Sequence, residues 1–239
     1  AKARWRDDKS GQSVVMFNPM GVLTELKMWN AKKRRTGHVS EAKLSAFFQS
    51  LEQEMAKAGT GRHKGLFKSR LKTRACVYIA TSLLLGTRKT ETGALKVENY
   101  DEDKATLVFT DTKNGVDHHV PVGLWLNEQL KVLKAFSLDE SSPWLFPSSY
   151  AAGDCMSEPR ETLKLIAQRV DIDVTMHDLR RTFATVLNRM NIANYTLKRL
   201  LNHLYDPARD VDVTSGYVQV DIDELRSVIQ QLENKVRSV

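Results

Sequence analysis

The chain has 239 residues and a formal net charge of +7 at pH 7, with 27% charged and 41% hydrophobic residues. This balance is typical of a folded globular protein and excludes a disordered or low-complexity chain. The longest apolar run is too short to span a bilayer, and Cys76 and Cys155 are not spaced as paired metal ligands, which excludes a membrane protein and a cysteine metal site.

The positive charge is concentrated towards the N-terminal end. Residues 1–75 carry 17 lysines and arginines against 6 acidic residues, whereas the other 164 residues carry 19 against 23. A basic region indicates a polyanion partner, most simply a nucleic acid, although a solvated surface explains a charge excess equally well. Within this region, turn signals at Asn18, Pro19 and Gly21 predict that residues 1–30 are a linker or the tail of an upstream domain, and that residues 31–239 form the main domain.

Two helices are predicted next. Ser40 is placed to cap a helix with an apolar face made of Leu44, Phe47, Phe48 and Leu51. Glycines between positions 59 and 65 predict a flexible basic loop. The apolar stretch from Leu66 to Leu85 then predicts a buried helix that stops at Gly86. Arg88 follows, and with Glu91 one turn further on it forms either a surface ion pair or a charge held in a cleft.

The periodicity changes to strand-like between residues 95 and 122. Residues 105–110 and 116–122 are predicted strands, and Asn114 followed by Gly115 is a strong hairpin signal between them. Residues 96–100 are the candidate for a third strand. Lys113 lies at the hairpin tip, where it is either solvated or reaches into a nucleic-acid groove. His118 and His119 are neighbours on a strand and point to opposite faces, so they cannot bind one metal ion together.

The rest of the chain is predicted to be helical over residues 125–135, 158–170, 175–190 and 195–203, with Asn194 placed to cap the last of these. A final amphipathic helix follows Asp221, and its apolar face must dock on its own core or on a neighbouring subunit. In the segment 175–190, His177 and Arg180 stand three residues apart and share one helix face. Another face is a buried stripe, formed by Leu179, Phe183, Val186 and Met190. A cation and an imidazole held beside a packed stripe suit a site that grips one phosphate.

Six polar residues stand in a characteristic order, and each lies in a distinctive local context: Arg88, Lys113, His177, Arg180, His203 and Tyr217. The order and the flanking segments, above all residues 86–95, 175–185 and 200–203, resemble the catalytic domain of the tyrosine recombinases, the phage integrase family. The resemblance covers roughly residues 35–239. It implies an α+β fold that is mainly helical, with a small antiparallel β-sheet on one side.

Two features depart from the family pattern. Asn202 replaces the glycine that usually precedes the histidine of the third box, here His203. The interval of 14 residues between His203 and Tyr217 is longer than in compact members and is closer to integrases of prophages and genomic islands.

The resemblance implies a role for each of the six residues. Arg88 and Arg180 hold the non-bridging oxygens of a DNA phosphate, and their bonds strengthen as negative charge develops in the transition state. His203 donates a further hydrogen bond, while His177 orients the phosphate or helps to accept a proton. Tyr217 attacks to form a 3′-phosphotyrosine, and Lys113 protonates the departing 5′ oxygen. No cofactor and no metal ion are needed.

The implied protein is a cytoplasmic, DNA-associated site-specific recombinase that integrates and excises a mobile element. Its implied partners are double-stranded DNA, three further copies in a homo-tetramer with the C-terminal helix packed on a neighbour, and accessory DNA-bending or directionality proteins. The candidate DNA contacts outside the six are basic: Lys32, Lys33, Arg34, Arg35, Arg70, Lys72 and Arg181. Two alternatives stay open: a type IB topoisomerase, which uses the same nucleophile, and a DNA-binding module that no longer catalyses.

Overall fold

The computed structural model describes residues 19–26, 36–60, 66–110, 117–151, 153–202 and 221–238. The chain divides into two compact units, residues 1–36 and 37–239. In the first unit, the described residues form helix α1 (Pro19–Glu25). The turn predicted at Pro19 and Gly21 is wrong, because both residues lie in α1, while the assignment of residues 1–30 to a linker or the tail of an upstream domain stays a prediction. Proline suits the first position of a helix because its fixed φ is already helical and its missing N–H has no intrahelical partner at that position.

The second unit is mainly helical, with one small sheet. Its described helices, in chain order, are α2 (Glu41–Thr60), α3 (Leu66–Leu85), α4 (Lys89–Gly93), α5 (Leu124–Asp139), α6 (Arg160–Arg169), α7 (Met176–Arg189), α8 (Asn194–Leu200) and α9 (Ile222–Arg237). Its strands are β1 (Tyr100–Asp101), β2 (Thr106–Phe109) and β3 (His118–Pro121). The fold class expected from the sequence is therefore confirmed. None of the described helices is both long and apolar enough to cross a membrane.

Helix α3 is the centre of the second unit. Every residue from Arg74 to Leu85 is buried, and α3 contacts α2, α5, α6, α7 and α9. A helix enclosed on all sides is apolar all round rather than along one stripe, which explains why this segment has no amphipathic pattern. Its predicted bounds are confirmed. The apolar face predicted for α2 is also confirmed, because Leu44, Phe47, Phe48 and Leu51 are all buried.

The three strands form an antiparallel sheet in the order β1-β2-β3. Leu107 pairs with Val120 and Phe109 pairs with His118. Side chains alternate along a strand, so His118 is buried and His119 is exposed, as the sequence predicts. The predicted third strand is wrong over most of its length, since residues 97–99 form one 3₁₀ turn and β1 begins only at residue 100. Lys113 and the hairpin turn lie outside the described residues.

The last helix, α9, packs within its own chain. Its apolar face is buried against α2, α3 and β3. The carboxylate of Glu233 on this helix accepts hydrogen bonds from the backbone N–H groups of Trp125 (2.8 Å) and Leu126 (3.1 Å) at the start of α5. A carboxylate is favoured there because the first N–H groups of a helix have no intrahelical acceptor and carry partial positive charge. The structure thus places α9 on its own core, where the family resemblance implies packing on a neighbour.

Candidate active site

The start of α7 is fixed by a cluster of polar contacts around Asp178. This buried carboxylate accepts hydrogen bonds from the backbone N–H of Thr175 (2.9 Å) and from the Thr175 hydroxyl (2.7 Å). It also accepts one from Arg181 (2.7 Å), and these partners hold its pKa below the usual value although burial acts in the opposite direction. Residue Gly37 packs directly against this carboxylate. These contacts therefore fix the start of α7, from which His177 and Arg180 project.

The turn between α3 and α4 positions the second arginine. Gly86 has φ of +62°, a left-handed conformation that favours glycine, and a Cβ there would lie 2.3 Å from the ring of Phe183. Two residues later, Arg88 is the N-cap of α4. The carboxylate of Glu91 accepts both the backbone N–H of Arg88 (2.9 Å) and its guanidinium (2.6 Å). Arg88 thus forms an ion pair with Glu91 and also lines a cleft. The sequence alone left these two interpretations open.

The two arginines are joined through the backbone. Arg180 donates from Nη1 to the carbonyl oxygen of Gly86 (2.5 Å) and from Nη2 to that of Leu201 (2.8 Å). These bonds fix the plane of its guanidinium beside Arg88. A cavity of about 240 Å³ opens at this point, and its lining consists of Thr87, Arg88, Lys89, Met176, His177 and Arg180. Three of the six predicted residues, Arg88, His177 and Arg180, therefore share one cavity.

The electrostatics of this cavity favour an anion. Burial, together with the neighbouring charge of Arg88, lowers the pKa of Arg180 to about 10 against the opposite effect of Glu91. Lys89 forms an ion pair with Glu158 outside this group at 3.2 Å. Two guanidinium groups thus line one cavity, and the carboxylate of Glu91 pairs with the guanidinium of Arg88. A bound anion such as a phosphate would relieve the repulsion between the two guanidinium groups.

The end of α8 contributes a hydrogen-bond acceptor to the site, the carbonyl oxygen of Leu201 that Arg180 binds. Asn202 has φ of +49° and so adopts the left-handed conformation for which the family uses glycine. Asparagine tolerates this conformation better than most residues, which explains the substitution.

Asn194 is the first residue of α8 and Ala193 is its N-cap, so the predicted capping role of Asn194 is wrong. His203 and Tyr217, like Lys113, lie outside the described residues, and their roles stay predictions.

His118, which is not one of the six predicted residues, also lies beside the site. His118, weighed only as a metal ligand, is buried, and its Nε2 lies 3.1 Å from the carbonyl oxygen of Leu200. His118 could have been predicted as a site residue from its inward-facing position on the second strand of the predicted hairpin. An inward-facing histidine needs a buried hydrogen-bond partner.

The candidate DNA contacts that the structure describes have partners within the chain. Arg70 is bonded to Asp139 (2.6 Å) and Glu140 (3.1 Å), and Lys72 pairs with the buried Glu54. Arg181 pairs with the carboxylate at the start of α7. Residues 32–35 lie outside the described residues. Contact of any of these side chains with DNA stays a prediction.

The fold and the site define a mainly helical domain that carries a small antiparallel sheet and a cavity lined by two arginines. The sequence model of the "Phage integrase family" matches residues 49–223, so the chain belongs to this family. The tyrosine recombinase XerA of Thermococcus kodakarensis is 27% identical over 143 residues, which are 59% of this chain and 49% of that protein. The chain thus spans about half the length of the curated relatives that it matches.

Two solved structures illustrate the likeness in fold. XerH site-specific recombinase bound to difH substrate superposes with a TM-score of 0.58 at 15% identity, over 85% of this chain and 54% of that one. The lambda integrase tetramer bound to a Holliday junction has a TM-score of 0.51 at 15% identity, over 81% of this chain and 57% of that one. At these identities the likeness concerns the fold, and it agrees with the catalytic-domain fold expected from the sequence.

Proposed function

We propose that the chain is the catalytic region of a site-specific DNA recombinase, which cleaves and rejoins duplex DNA through a 3′-phosphotyrosine intermediate. The observation that carries the proposal is the convergence of Arg88, His177 and Arg180 on one cavity. Membership of the phage integrase family supports it. The two guanidinium groups are fixed by backbone and carboxylate partners, so they are already oriented before a phosphate arrives. Preorganised donors of this kind stabilise the charge that develops in a transition state.

The proposed reaction transfers a phosphodiester from a DNA oxygen to a protein oxygen. The hydroxyl of Tyr217 attacks phosphorus, and the bond between phosphorus and the 5′ oxygen breaks. The tyrosine proton leaves towards His177 or solvent, and Lys113 supplies a proton to the departing 5′ oxygen. Arg88 and Arg180, with His203, hold the non-bridging oxygens. The phosphotyrosine conserves the energy of the bond, so a 5′ hydroxyl can reverse the step and reseal the strand.

The proposed partners follow from the family. XerH and lambda integrase are solved in complex with DNA, the latter as a tetramer on a Holliday junction. We infer double-stranded DNA as the substrate, a homo-tetramer as the assembly that exchanges strands, and accessory DNA-bending or directionality proteins as regulators. The 14-residue interval between His203 and Tyr217 favours integration and excision of a mobile element over the resolution of chromosome dimers. Residues 31–239 are the proposed catalytic domain, and residues 1–30 the tail of, or linker from, an upstream core-binding domain.

Trapping of a covalent adduct tests this proposal. The probe is a pool of labelled duplexes with a randomised central segment and a nick, so that cleavage near the nick releases a short strand and leaves the protein attached. We expect an adduct that survives denaturing gels with the wild type but not with Tyr217→Phe, and much less of it with Arg180→Ala. Sequencing of the trapped strands should give one preferred site.

An adduct with Tyr217→Phe contradicts the choice of nucleophile. Relaxation of plasmids without site preference would favour a topoisomerase, and DNA binding without an adduct would favour the inactive module.

A further inference from the structure

Two consecutive carbonyl groups at the end of α8 are bonded to donors from two different parts of the chain. The carbonyl oxygen of Leu200 lies 3.1 Å from Nε2 of His118, at the first residue of β3. The next carbonyl oxygen, that of Leu201, accepts a hydrogen bond of 2.8 Å from Nη2 of Arg180. The last carbonyls of a helix have no intrahelical donor, so side chains that bind them decide where the chain goes next.

His118 is built into this position. It is 5% exposed, and its pairing with Phe109 across the sheet fixes the backbone from which it reaches α8. A carbonyl oxygen can only accept, so Nε2 carries the hydrogen and Nδ1 carries the lone pair. Among the described residues no partner faces this Nδ1. Burial and the charge of Arg199 lower the pKa of His118 to about 4, and the imidazole is therefore neutral at neutral pH.

We propose that His118 is a positioning residue for Arg180. By holding the Leu200 carbonyl, it keeps the adjacent Leu201 carbonyl where the Arg180 guanidinium donates. Loss of that anchor would weaken the bond from Arg180 to Leu201, so that the guanidinium would be held less precisely in the cavity that it shares with Arg88. The proposal rests on the proposed recombinase function, since Arg180 is there a ligand of the phosphate.

The competing explanation is that His118 only fills space in the core. The two explanations predict different results for different substitutions of His118. Leucine fills a comparable volume without a donor, whereas the amide nitrogen of glutamine reaches about as far as Nε2. Asparagine keeps an amide on a shorter side chain that does not reach Leu200. His119, the exposed neighbour on the same strand, provides the matched control.

The test uses the 239-residue chain and the preferred nicked duplex recovered from the pool. We expect His118→Leu to form the covalent adduct about tenfold more slowly, which corresponds to about 1.4 kcal/mol in the activation barrier. Its Kd for the duplex should stay within about twofold of the wild type, because only orientation in the transition state is lost. His118→Gln should recover most of the rate, and His119→Leu should match the wild type. If His118→Leu does not fold, His118→Asn takes its place with the same expected slowing.

Several outcomes would overturn the inference: a wild-type rate in His118→Leu, equal slowing in His118→Leu and His118→Gln, or a loss confined to Kd. If the wild type itself forms no adduct, the proposed function fails. The contact is then tested by amide hydrogen exchange at Leu201 and Asn202. Exchange should be faster in His118→Leu and unchanged in His118→Gln, and equal exchange in all variants would reject the positioning role.

Discussion

Arg180 donates from Nη1 to the carbonyl oxygen of Gly86 at 2.5 Å, and Gly86 stands two residues before Arg88. The separation of the two arginines is therefore set through a three-residue stretch of backbone rather than through flexible side chains. The same turn is pressed against α7, because the ring of Phe183 occupies the space where a side chain at position 86 would begin. Packing of α3 on α7 thus brings together two residues that are 92 positions apart in the sequence.

This relationship predicts that Gly86→Ala is severely destabilising. An alanine in the left-handed region costs about 1 kcal/mol, and the overlap with Phe183 adds roughly 1–3 kcal/mol. Gly153 also has a positive φ, of +84°, but nothing lies within 4 Å of a Cβ there. Gly153→Ala should therefore lose only the conformational part, about 1 kcal/mol. Urea unfolding of both variants checks this, and equal losses would show that Phe183 moves aside without cost.

A second prediction concerns the carboxylate that orients Arg88. Glu91 accepts two hydrogen bonds from this residue, one from its backbone and one from its guanidinium. Glu91→Gln keeps the volume but loses the charge, so Arg88 should be less well oriented and adduct formation about tenfold slower. Glu98→Gln is the control, because Glu98 is 72% exposed and pairs with Lys96 away from the cavity. A wild-type rate in Glu91→Gln would show that Arg88 needs no such orientation.

Much of the fold follows from local patterns, and the failures have local causes. The helices α2, α3, α6, α7 and α9 were predictable because each carries an apolar face or, in α3, a long and mostly apolar buried segment. The short helix at Pro19 was not predictable, because proline followed closely by glycine is common both in turns and at the start of a helix. Residues 97–99, Val-Glu-Asn, form one 3₁₀ turn, and a stretch this short gives no local pattern that separates a turn from a strand.

Three of the six residues predicted for the site, Arg88, His177 and Arg180, line one cavity, but the contacts that connect them could not be predicted. His177 and Arg180 share a helix face, and their spacing of three residues predicts this from the sequence alone. The bonds from Arg180 to Gly86 and Leu201 join distant segments, so no local pattern shows them. His118 was missed for the same reason, since its partner lies 82 residues away.

The end of α8 gives a third prediction. Asn202 has φ of +49°, where the family uses glycine. Asn202→Gly and Asn202→Ala both remove the side chain, so the difference between them isolates the backbone conformation. We expect Asn202→Ala to be less stable than Asn202→Gly by about 1 kcal/mol, because a Cβ disfavours the left-handed region. Equal free energies of unfolding in urea would mean that this turn relaxes to another conformation.

The contact between α9 and α5 gives a fourth prediction. Glu233 is 1% exposed and binds the part-buried N–H of Trp125 and the buried N–H of Leu126, whereas Gln230 binds the exposed N–H of Leu124. Glu233→Ala leaves one buried and one part-buried donor without this acceptor and should cost about 2–3 kcal/mol. Gln230→Ala should cost less than about 1 kcal/mol, because water replaces the lost acceptor. Chemical denaturation of the two variants measures the difference, and similar losses would argue against a capping role for Glu233.

The fifth prediction uses the pH dependence of stability. The pKa of His118 is about 4 in the folded chain, below the ordinary value of 6.5, because burial and the charges of Arg199 and Arg180 outweigh the opposite effects of Glu91 and the Leu200 carbonyl. Between these pH values the unfolded chain binds a proton that the folded chain does not. Stability therefore falls as the pH drops from 6.5 towards 4, by up to about 3 kcal/mol from this group.

The comparison with His118→Gln isolates that contribution. Other groups, such as the carboxylate of Asp178 with its lowered pKa, titrate in both proteins and cancel in the difference. The free energy of unfolding of the wild type minus that of His118→Gln should be constant above pH 7 and should decrease steadily towards pH 4. Urea unfolding at a series of pH values provides the curve. A difference that does not change with pH would mean that His118 is protonated alike in the folded and unfolded chain, and that the neutral donor to Leu200 is not what holds the end of α8.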